Sequence, residues 1–303
     1  MKLSILIPVY NGADSIQKLV EKIESELSEV NYEIVMVNDG SKDSSEQTCS
    51  TLADSSEKLK FISLRKNFGE HNTVMCGLNF IKGEYVVIID DDFQNPPSEI
   101  KKLLNEIERG YDVVYSRFEK KNHKVWRNIG SKLTNMVATK LLKKPKDLYL
   151  SSFKILRKEL VQSIIQYKGP SPYIDGLIWR STNNYSVVEV IHNKRQSGTS
   201  NYTLKKLVSL YLNMFINFSV QPLRIFTLAG MIFFFISIAF SIVIIFERIL
   251  MSNIPSGWTT LSLLTLFFGS LQLLFIGLIG EYLGKLFMDV NKSPQYVIKF
   301  KKL

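Results

Sequence analysis

Two long stretches without a charged residue constrain this chain more than any other feature. Residues 225–246 (IFTLAGMIFFFISIAFSIVIIF) and 258–280 contain no Asp, Glu, Lys or Arg. Each is long enough, as a helix, to cross a hydrocarbon core of ~30 Å, and only a structure that satisfies its own backbone hydrogen bonds can do so. The pattern predicts two transmembrane helices at about 225–247 and 258–282, against the alternative of two buried core helices. Lys205, Lys206 and Arg224 precede the first run and Lys285, Lys292, Lys299, Lys301 and Lys302 follow the second, whereas the link 247–257 holds one Arg. The positive-inside rule then gives a multi-pass protein of the plasma membrane with both termini and the N-terminal region in the cytoplasm. The opening MKLSILIPVY is too short an apolar run for a signal peptide and reads as a first strand.

Up to residue 202 the composition changes character. Short apolar runs at 3–9, 34–38, 61–64 and 85–89 alternate with amphipathic stretches at 15–27, 44–54, 72–81 and 98–108. Strand and helix in alternation predict an α/β domain, a mainly parallel sheet with helices on both faces. Further strands are expected at 113–115 and 187–191, and a basic amphipathic helix at 125–142. The domain expectation is 1–202 catalytic, 203–224 an amphipathic segment lying at the membrane interface or packing as an ordinary helix, 225–284 the two spans, and 285–303 a cytoplasmic tail.

The chemistry concentrates where the fourth apolar run ends, in Asp90-Asp91-Asp92 followed by FQNPP. Open α/β sheets bind ligands at the carboxyl ends of their strands. Two like charges ~4 Å apart repel by roughly 1 kcal/mol in water and about 4 at an effective dielectric near 20, so a divalent cation is the simplest compensation. Side-chain alternation along a strand puts Asp90 and Asp92 on one side and Asp91 on the other. The plain alternative is a solvated acidic turn capping the next helix. At the same predicted edge, Asp39 in the turn Asn38-Asp39-Gly40-Ser41 can accept hydrogen bonds from a base edge, and Gly40 lets the backbone turn close to it.

Several classes fall away. There is no G-x-G-x-x-G and no G-x-x-x-x-G-K-[ST], so neither the dinucleotide fingerprint nor the Walker phosphate loop is present. His71, His123 and His192 are scattered, which disfavours a His-based metal site or triad, and Cys49 and Cys76 lack metal-ligand spacing. The net charge of +10 would suit nucleic acid. No nucleic-acid-binding pattern accompanies it, and an anionic lipid surface is the nearer partner.

Six motifs in order, PVYN (8–11), NDGS (38–41), LRKNFG (64–69), DDDFQNPP (90–97), RQSGTSNY (195–202) and GEYLGK (280–285), resemble the family 2 glycosyltransferases of the polyprenyl-phosphate type. That group includes dolichyl-phosphate mannose synthase, bactoprenol glucosyltransferase and the undecaprenyl-phosphate aminoarabinose transferases. The resemblance implies a GT-A-like fold and inverting transfer of a sugar from a nucleotide sugar, a UDP-sugar, to a polyprenyl phosphate such as undecaprenyl phosphate. It implies that Pro8, Tyr10, Asn11 and Asp39 hold the nucleoside and that Arg65 lies near the donor. Asp90, Asp92 and Gln94 would hold Mg2+ or Mn2+ against the donor diphosphate, with Asp91 beside them, a set that agrees with the taste of Mg2+ for a few carboxylates plus phosphate and water. Arg195 and Ser200 would close over the donor phosphates, their alternative being a solvated basic loop.

Arg117, Arg127 and Ser131 correspond to the acceptor-phosphate site. Arg127 and Ser131 are four residues apart on a predicted helix and so share a face, and an Arg pair binds phosphate through charge-assisted hydrogen bonds. The neighbouring lysines 120, 121, 124 and 132 suit a solvated or lipid-facing patch equally well. The chain departs from the family pattern at Gly12, where a Glu is common, at Lys154, which stands in for the common Arg as a nucleotide-sugar-binding residue of weaker geometry, and at Asn201, where a Lys is frequent; these bear on the donor. Asp147 is a candidate base or orienter, or a loop Asp in a local ion pair. A base is not required, because the second pKa of a phosphate monoester is near ~6. Glu281, in GEYLG, reads as a packing or intersubunit residue, which leaves a homo-oligomer open. The rivals are a processive polysaccharide synthase, whose Q-x-x-R-W signature is missing, and a non-catalytic membrane scaffold with a degenerate nucleotide fold.

Overall fold

The computed structural model describes residues 1–118, 145, 148, 150–191, 193, 228, 232, 235, 239, 242 and 257–303. The chain divides into two compact units, Met1–Leu207 together with Lys292–Leu303, and Val208–Asn291.

In the first unit four strands, β1 (Leu3–Val9), β2 (Tyr32–Asn38), β3 (Leu59–Leu64) and β4 (Tyr85–Ile88), run parallel in the order β3-β2-β1-β4. All are buried on both faces, which is why they read as continuous apolar runs rather than as alternating ones. β5 (Val113–Phe118), β6 (Lys154–Arg157) and β7 (Tyr185–Val190) extend the sheet beyond β4. β6 is antiparallel to both β4 and β5, while β7 runs parallel to β5. At the far edge β8 (Ile298–Lys302) pairs antiparallel with β3 and completes the order β7-β5-β6-β4-β1-β2-β3-β8. The sheet is therefore mixed, with a parallel heart.

Helices cover both faces. α1 (Ile16–Glu26) buries Ile16, Leu19, Val20 and Ile23, and α4 (Ile100–Ile107) buries Ile100, Leu103, Leu104 and Ile107. The i, i+3, i+4, i+7 spacing puts each set on one stripe, and both stripes join one core with β1, β2 and β3. α2 (Ser45–Ser55) adds Cys49 to that side. α3 (Glu70–Leu78), α5 (Lys158–Ile164) and α6 (Ile174–Ser181) form the core of the opposite face with Leu6, Val35, Val37 and Ile62. Both cysteines are free and buried, and burial pushes both thiols up to about 12. The predicted helices at 15–27, 44–54, 72–81 and 98–108 thus correspond to α1 to α4. β6, β8, α5 and α6 were not foreseen.

The second unit contains α7 (Trp258–Val290), a continuous helix of 33 residues. Along it Leu261, Phe267, Ile276, Ile279, Leu283, Leu286, Phe287 and Val290 are exposed. Among the described residues no helix is long and apolar enough to cross a membrane, so the two spans read from the sequence are not shown here. The first expected span is described at only five positions, and the expected helices at 125–142 and 204–218 lie outside the described residues.

Candidate active site

The direction of each strand decides which loops meet. The parallel strands β1 to β4 all end at one edge of the sheet, so the loops after Val9, Asn38, Leu64 and Ile88 gather there. Because β6 runs against β4, the residues just before Lys154 come to the same edge, as do the ends of β5 and β7.

The first two loops are stitched together. Asn11 N donates to Ser41 Oγ at 3.0 Å and Lys42 N to Asn11 Oδ1 at 2.9 Å. Gly12 N donates to Ser45 Oγ at 2.9 Å and Ala13 N to Asp43 Oδ2 at 3.2 Å. Asn11 adopts a φ of 54°, and Phe93, in the acidic loop on the neighbouring strand, a φ of 58°. Left-handed non-glycine residues persist only where their surroundings hold them, and they gather at functional sites. Tyr10 beside them is 42% exposed, and Pro8 is half-buried within β1.

Asp39 serves a partner within the protein. Its two carboxylate oxygens accept from Phe68 N at 2.7 Å and Gly69 N at 3.0 Å, so it holds the LRKNFG loop at the start of α3. Burial raises its carboxyl above the usual range, against the pull of those two bonds and of Thr73. Gly40 has a φ of +62°, and a Cβ there would lie 2.5 Å from the Lys66 carbonyl carbon. The turn thus admits the LRKNFG backbone against it, and Arg65 in that loop is exposed.

In the acidic loop Asp90 Oδ2 accepts from Ser152 Oγ at 2.7 Å, and Asp92 Oδ1 accepts from Gln94 N at 3.1 Å. Desolvation, then the carboxylates of Glu70 and Asp92, push the Asp90 carboxyl up to about 7, opposed by Ser152 and Lys154. Asp91 turns toward the start of α1. A Cβ on Gly12 would stand 1.9 Å from Asp91 Oδ2, so that carboxylate fills the space which a side chain at position 12 would need. The carboxylate missing from the first loop and the one present at 91 are therefore alternatives in space.

Lys154 is buried in the sheet and ion-paired with Asp175 of α6, whose Oδ1 also accepts from Tyr115 Oη at 3.1 Å. A cation beneath the acidic loop is thus tied to a carboxylate that the sequence reading did not single out. Glu70, at the first turn of α3, and Ser152 were missed as well; the charge of the first and the hydrogen bond of the second on Asp90 reveal them. Desolvation takes His71 down to about 4, so it is neutral at physiological pH, with its ring edge-on to Tyr173 at 5.2 Å. Arg117 is exposed near the end of β5. Asn193 N donates to Gln94 O at 2.9 Å, which brings the start of the late loop to the acidic cluster. Arg127, Ser131, Asp147, Arg195 and Ser200 lie outside the described residues.

Among the described residues no group of three or more His, Cys, Asp or Glu side chains is arranged to hold a metal ion. The Asp90 carboxyl, pushed up to about 7 by burial first and then by nearby carboxylates, and Asp92 in the same loop instead fit an ion whose remaining ligands are phosphate oxygens and water.

Residues 4–165 match the family described as glycosyl transferase family 2. The chain belongs to glycosyl transferase family 2. Residues 221–286 of this glycosyltransferase match a second family, described as GtrB C-terminal hairpin. Undecaprenyl-phosphate 4-deoxy-4-formamido-L-arabinose transferase of Yersinia pestis (strain Pestoides F) is 30% identical over an alignment of 304 positions that spans 98% of this chain and 93% of that protein. The enzyme of the same name from Photorhabdus laumondii is 29% identical with the same coverage. Among solved structures, glucosyl-3-phosphoglycerate synthase from Mycobacterium tuberculosis, in complex with Mn2+, UDP and phosphoglyceric acid, superposes with a TM-score of 0.55. That match covers 71% of this chain and 76% of the synthase at 16% identity, and it shows a shared fold.

Proposed function

We propose that this glycosyltransferase moves a sugar from a nucleotide sugar, a UDP-sugar, onto the phosphate of a membrane polyprenyl phosphate of the undecaprenyl kind, with inversion at the anomeric carbon. The observation that carries the reading is the meeting, at one sheet edge, of the stitched loops at 10–13 and 38–43 with the Asp90–Asp92 loop and Asn193. Relatives that align over nearly the whole chain and are named for that acceptor support it.

Pro8, Tyr10, Asn11 and the Asp39 turn cradle the nucleoside, and Arg65 faces the donor. Asp90, Asp92 and Gln94 would hold Mg2+ or Mn2+, which when bound offsets charge growing on the departing nucleoside diphosphate. An acceptor phosphate oxygen forms the new bond to the anomeric carbon as the bond to the diphosphate oxygen breaks. That oxygen is already largely unprotonated at neutral pH, so Asp147 acts at most as an orienter. Arg117, Arg127 and Ser131 hold the acceptor phosphate, and Arg195 and Ser200 close over the donor. Lys154 neutralises Asp175 below the acidic loop and lowers Asp90 through space.

The membrane part of the reading draws on α7, which at ~1.5 Å per residue is about 50 Å long, more than a ~30 Å hydrocarbon core needs. The pairing of β8 with β3 supports a hairpin, since chain on either side of 208–291 must then share one face of a bilayer, and two crossings meet that condition where one does not. The domain reading becomes a catalytic unit at 1–202 that the chain rejoins at 292, with the interfacial segment and two spans between. The catalytic unit and both termini then face the cytoplasm.

Mass spectrometry of the lipid product, with undecaprenyl phosphate in bicelles and a panel of nucleotide sugars, tests the proposal. A phosphodiester-linked glycosyl lipid that forms from one donor and disappears in EDTA is expected. Hydrolysis of the donor with no lipid product across the panel would overturn it.

A further inference from the structure

The β8 strand does more than close an edge. Lys299 Nζ donates to Glu46 Oε1 at 2.8 Å, and the other oxygen of Glu46 accepts from Ser63 Oγ at 2.6 Å. Ser63 Oγ in turn accepts from Asn38 Nδ2 at 3.2 Å, while Asn38 Oδ1 accepts from Ser41 N at 3.2 Å. Ser41 Oγ then accepts from Asn11 N, which brings the series to the first loop. Ser63 and Asn38 are fully buried. A backbone bond runs alongside, from Arg65 N to Val297 O at 2.9 Å.

The donor and acceptor inventory of these groups fixes the direction of the whole series. A lysine ammonium only donates and a glutamate carboxylate only accepts, whereas a serine hydroxyl has one proton to give. With that proton committed to Glu46, Ser63 can only accept from Asn38. This turns the amide nitrogen of Asn38 toward Ser63 and its oxygen toward Ser41 N, the orientation that the NDGS turn requires. Without the carboxylate, the Ser63 proton is released to seek the Asn38 oxygen, and the amide loses its reason to face one way.

We propose that Glu46 is a positioning residue for the donor nucleotide, setting the NDGS turn through Ser63 and Asn38, and that the C-terminal strand aligns it through Lys299. The inference rests on the reading of that turn as part of the nucleoside site. None of these side chains touches the reacting atoms. The strand that follows α7 is thereby wired to the loop that receives the nucleotide.

Calorimetric titration of the full chain with UDP and Mn2+, alongside steady-state kinetics, tests this. Glu46→Met should weaken UDP about tenfold, equivalent to ~1.4 kcal/mol, and raise the donor KM alike while leaving kcat at saturating donor unchanged. Ser63→Ala should do the same, and the double variant should lose little more than either single one, because the two act in series. Lys299→Met should cost about two- to fivefold, as befits a half-exposed pair, and Lys299→Arg should recover it. Lys302→Ala, which removes a bond from the same strand to Asp54 outside the series, should leave UDP affinity unchanged. Unaltered UDP affinity in Glu46→Met, or an equal loss in Lys302→Ala, would overturn the inference alone. A wild-type chain with no affinity for UDP would overturn the nucleoside-site reading and this inference with it.

Discussion

Replacing Gly40 separates two reasons for a glycine at the same position. Its φ of +62° lies in the left-handed region, and the space for a Cβ is taken by backbone, with Lys66 C at 2.5 Å and Asn67 N at 2.7 Å. For Gly40→Ala the conformational cost is roughly 1–2 kcal/mol. Crowding against backbone that cannot rotate away adds about 1–3 kcal/mol. The lower entropy of the unfolded alanine chain returns roughly 0.4–1 kcal/mol. The expected net loss is about 1–4.5 kcal/mol. Asparagine tolerates the left-handed region, so Gly40→Asn removes most of the first cost and none of the second. Thermal unfolding of the purified protein, with variants compared at one scan rate, should show both variants melting lower by several degrees, at ~2–4 °C per kcal/mol for a domain of this size. UDP affinity should fall with them, because Lys66 and Asn67 lead directly into the Phe68 and Gly69 amides held by Asp39. If Gly40→Asn melts with the wild type while Gly40→Ala does not, conformation alone explains the glycine, and the close approach of the two loops is wrong.

Three further outcomes are expected. Asp92→Asn should keep the wild-type melting temperature and lose at least ~10² in turnover, as when one electrostatic stabiliser is removed; full activity in EDTA would count against a metal at this loop. Arg127→Ala should raise the KM for polyprenyl phosphate far more than that for the sugar nucleotide, and the opposite split would move Arg127 to the donor. At the other end of the sheet the buried Lys60–Glu33 pair makes a pH-dependent contribution. Burial alone would raise the Glu33 carboxyl, but bonds from Lys60, Ser4 and Lys82 N outweigh it and hold it below the usual range. The stability it contributes is present above the ordinary glutamate pKa and fades as pH falls through the lowered value. In Lys60→Met burial prevails, the carboxyl rises, and stability should fall as pH increases; denaturant midpoints between pH 4 and 8 that keep the wild-type slope would refute this. The variant should also lose about 3–5 kcal/mol at neutral pH, since a buried charge is left without its partner.

Much of the parallel heart was legible because strands buried on both faces must be apolar throughout, and amphipathic helices between them announce themselves by spacing. β6 was not, since KILR is short, begins with a lysine that is buried only because Asp175 meets it, and shows no alternation. β8 did carry a signal. Ile298 and Phe300 alternate with Lys299 and Lys301, and the ring of Phe300 packs edge-on against Phe61. The same lysines also satisfy the positive-inside count, and that reading hid the strand. At the site, the motifs located the loops, but sequence spacing had no means of showing that Asp39 would be occupied by Phe68 and Gly69, or that Asp91 would fill the space beside Gly12. Those depend on contacts between segments about thirty to eighty residues apart.

The position of β8 in the chain sets an order of manufacture. The edge of β3 that it covers is made early, yet its partner follows the 208–291 unit. At ~5–20 residues per second, the roughly 230 residues between β3 and β8 take about 12–47 s to synthesise. Throughout that interval a strand whose six residues are all buried in the finished sheet presents an open edge, the kind of surface that recruits stray strands from other chains. A piece cut before the second unit would keep this exposed edge permanently. Joining 293–303 to such a piece through a flexible linker would return the missing strand and close that edge.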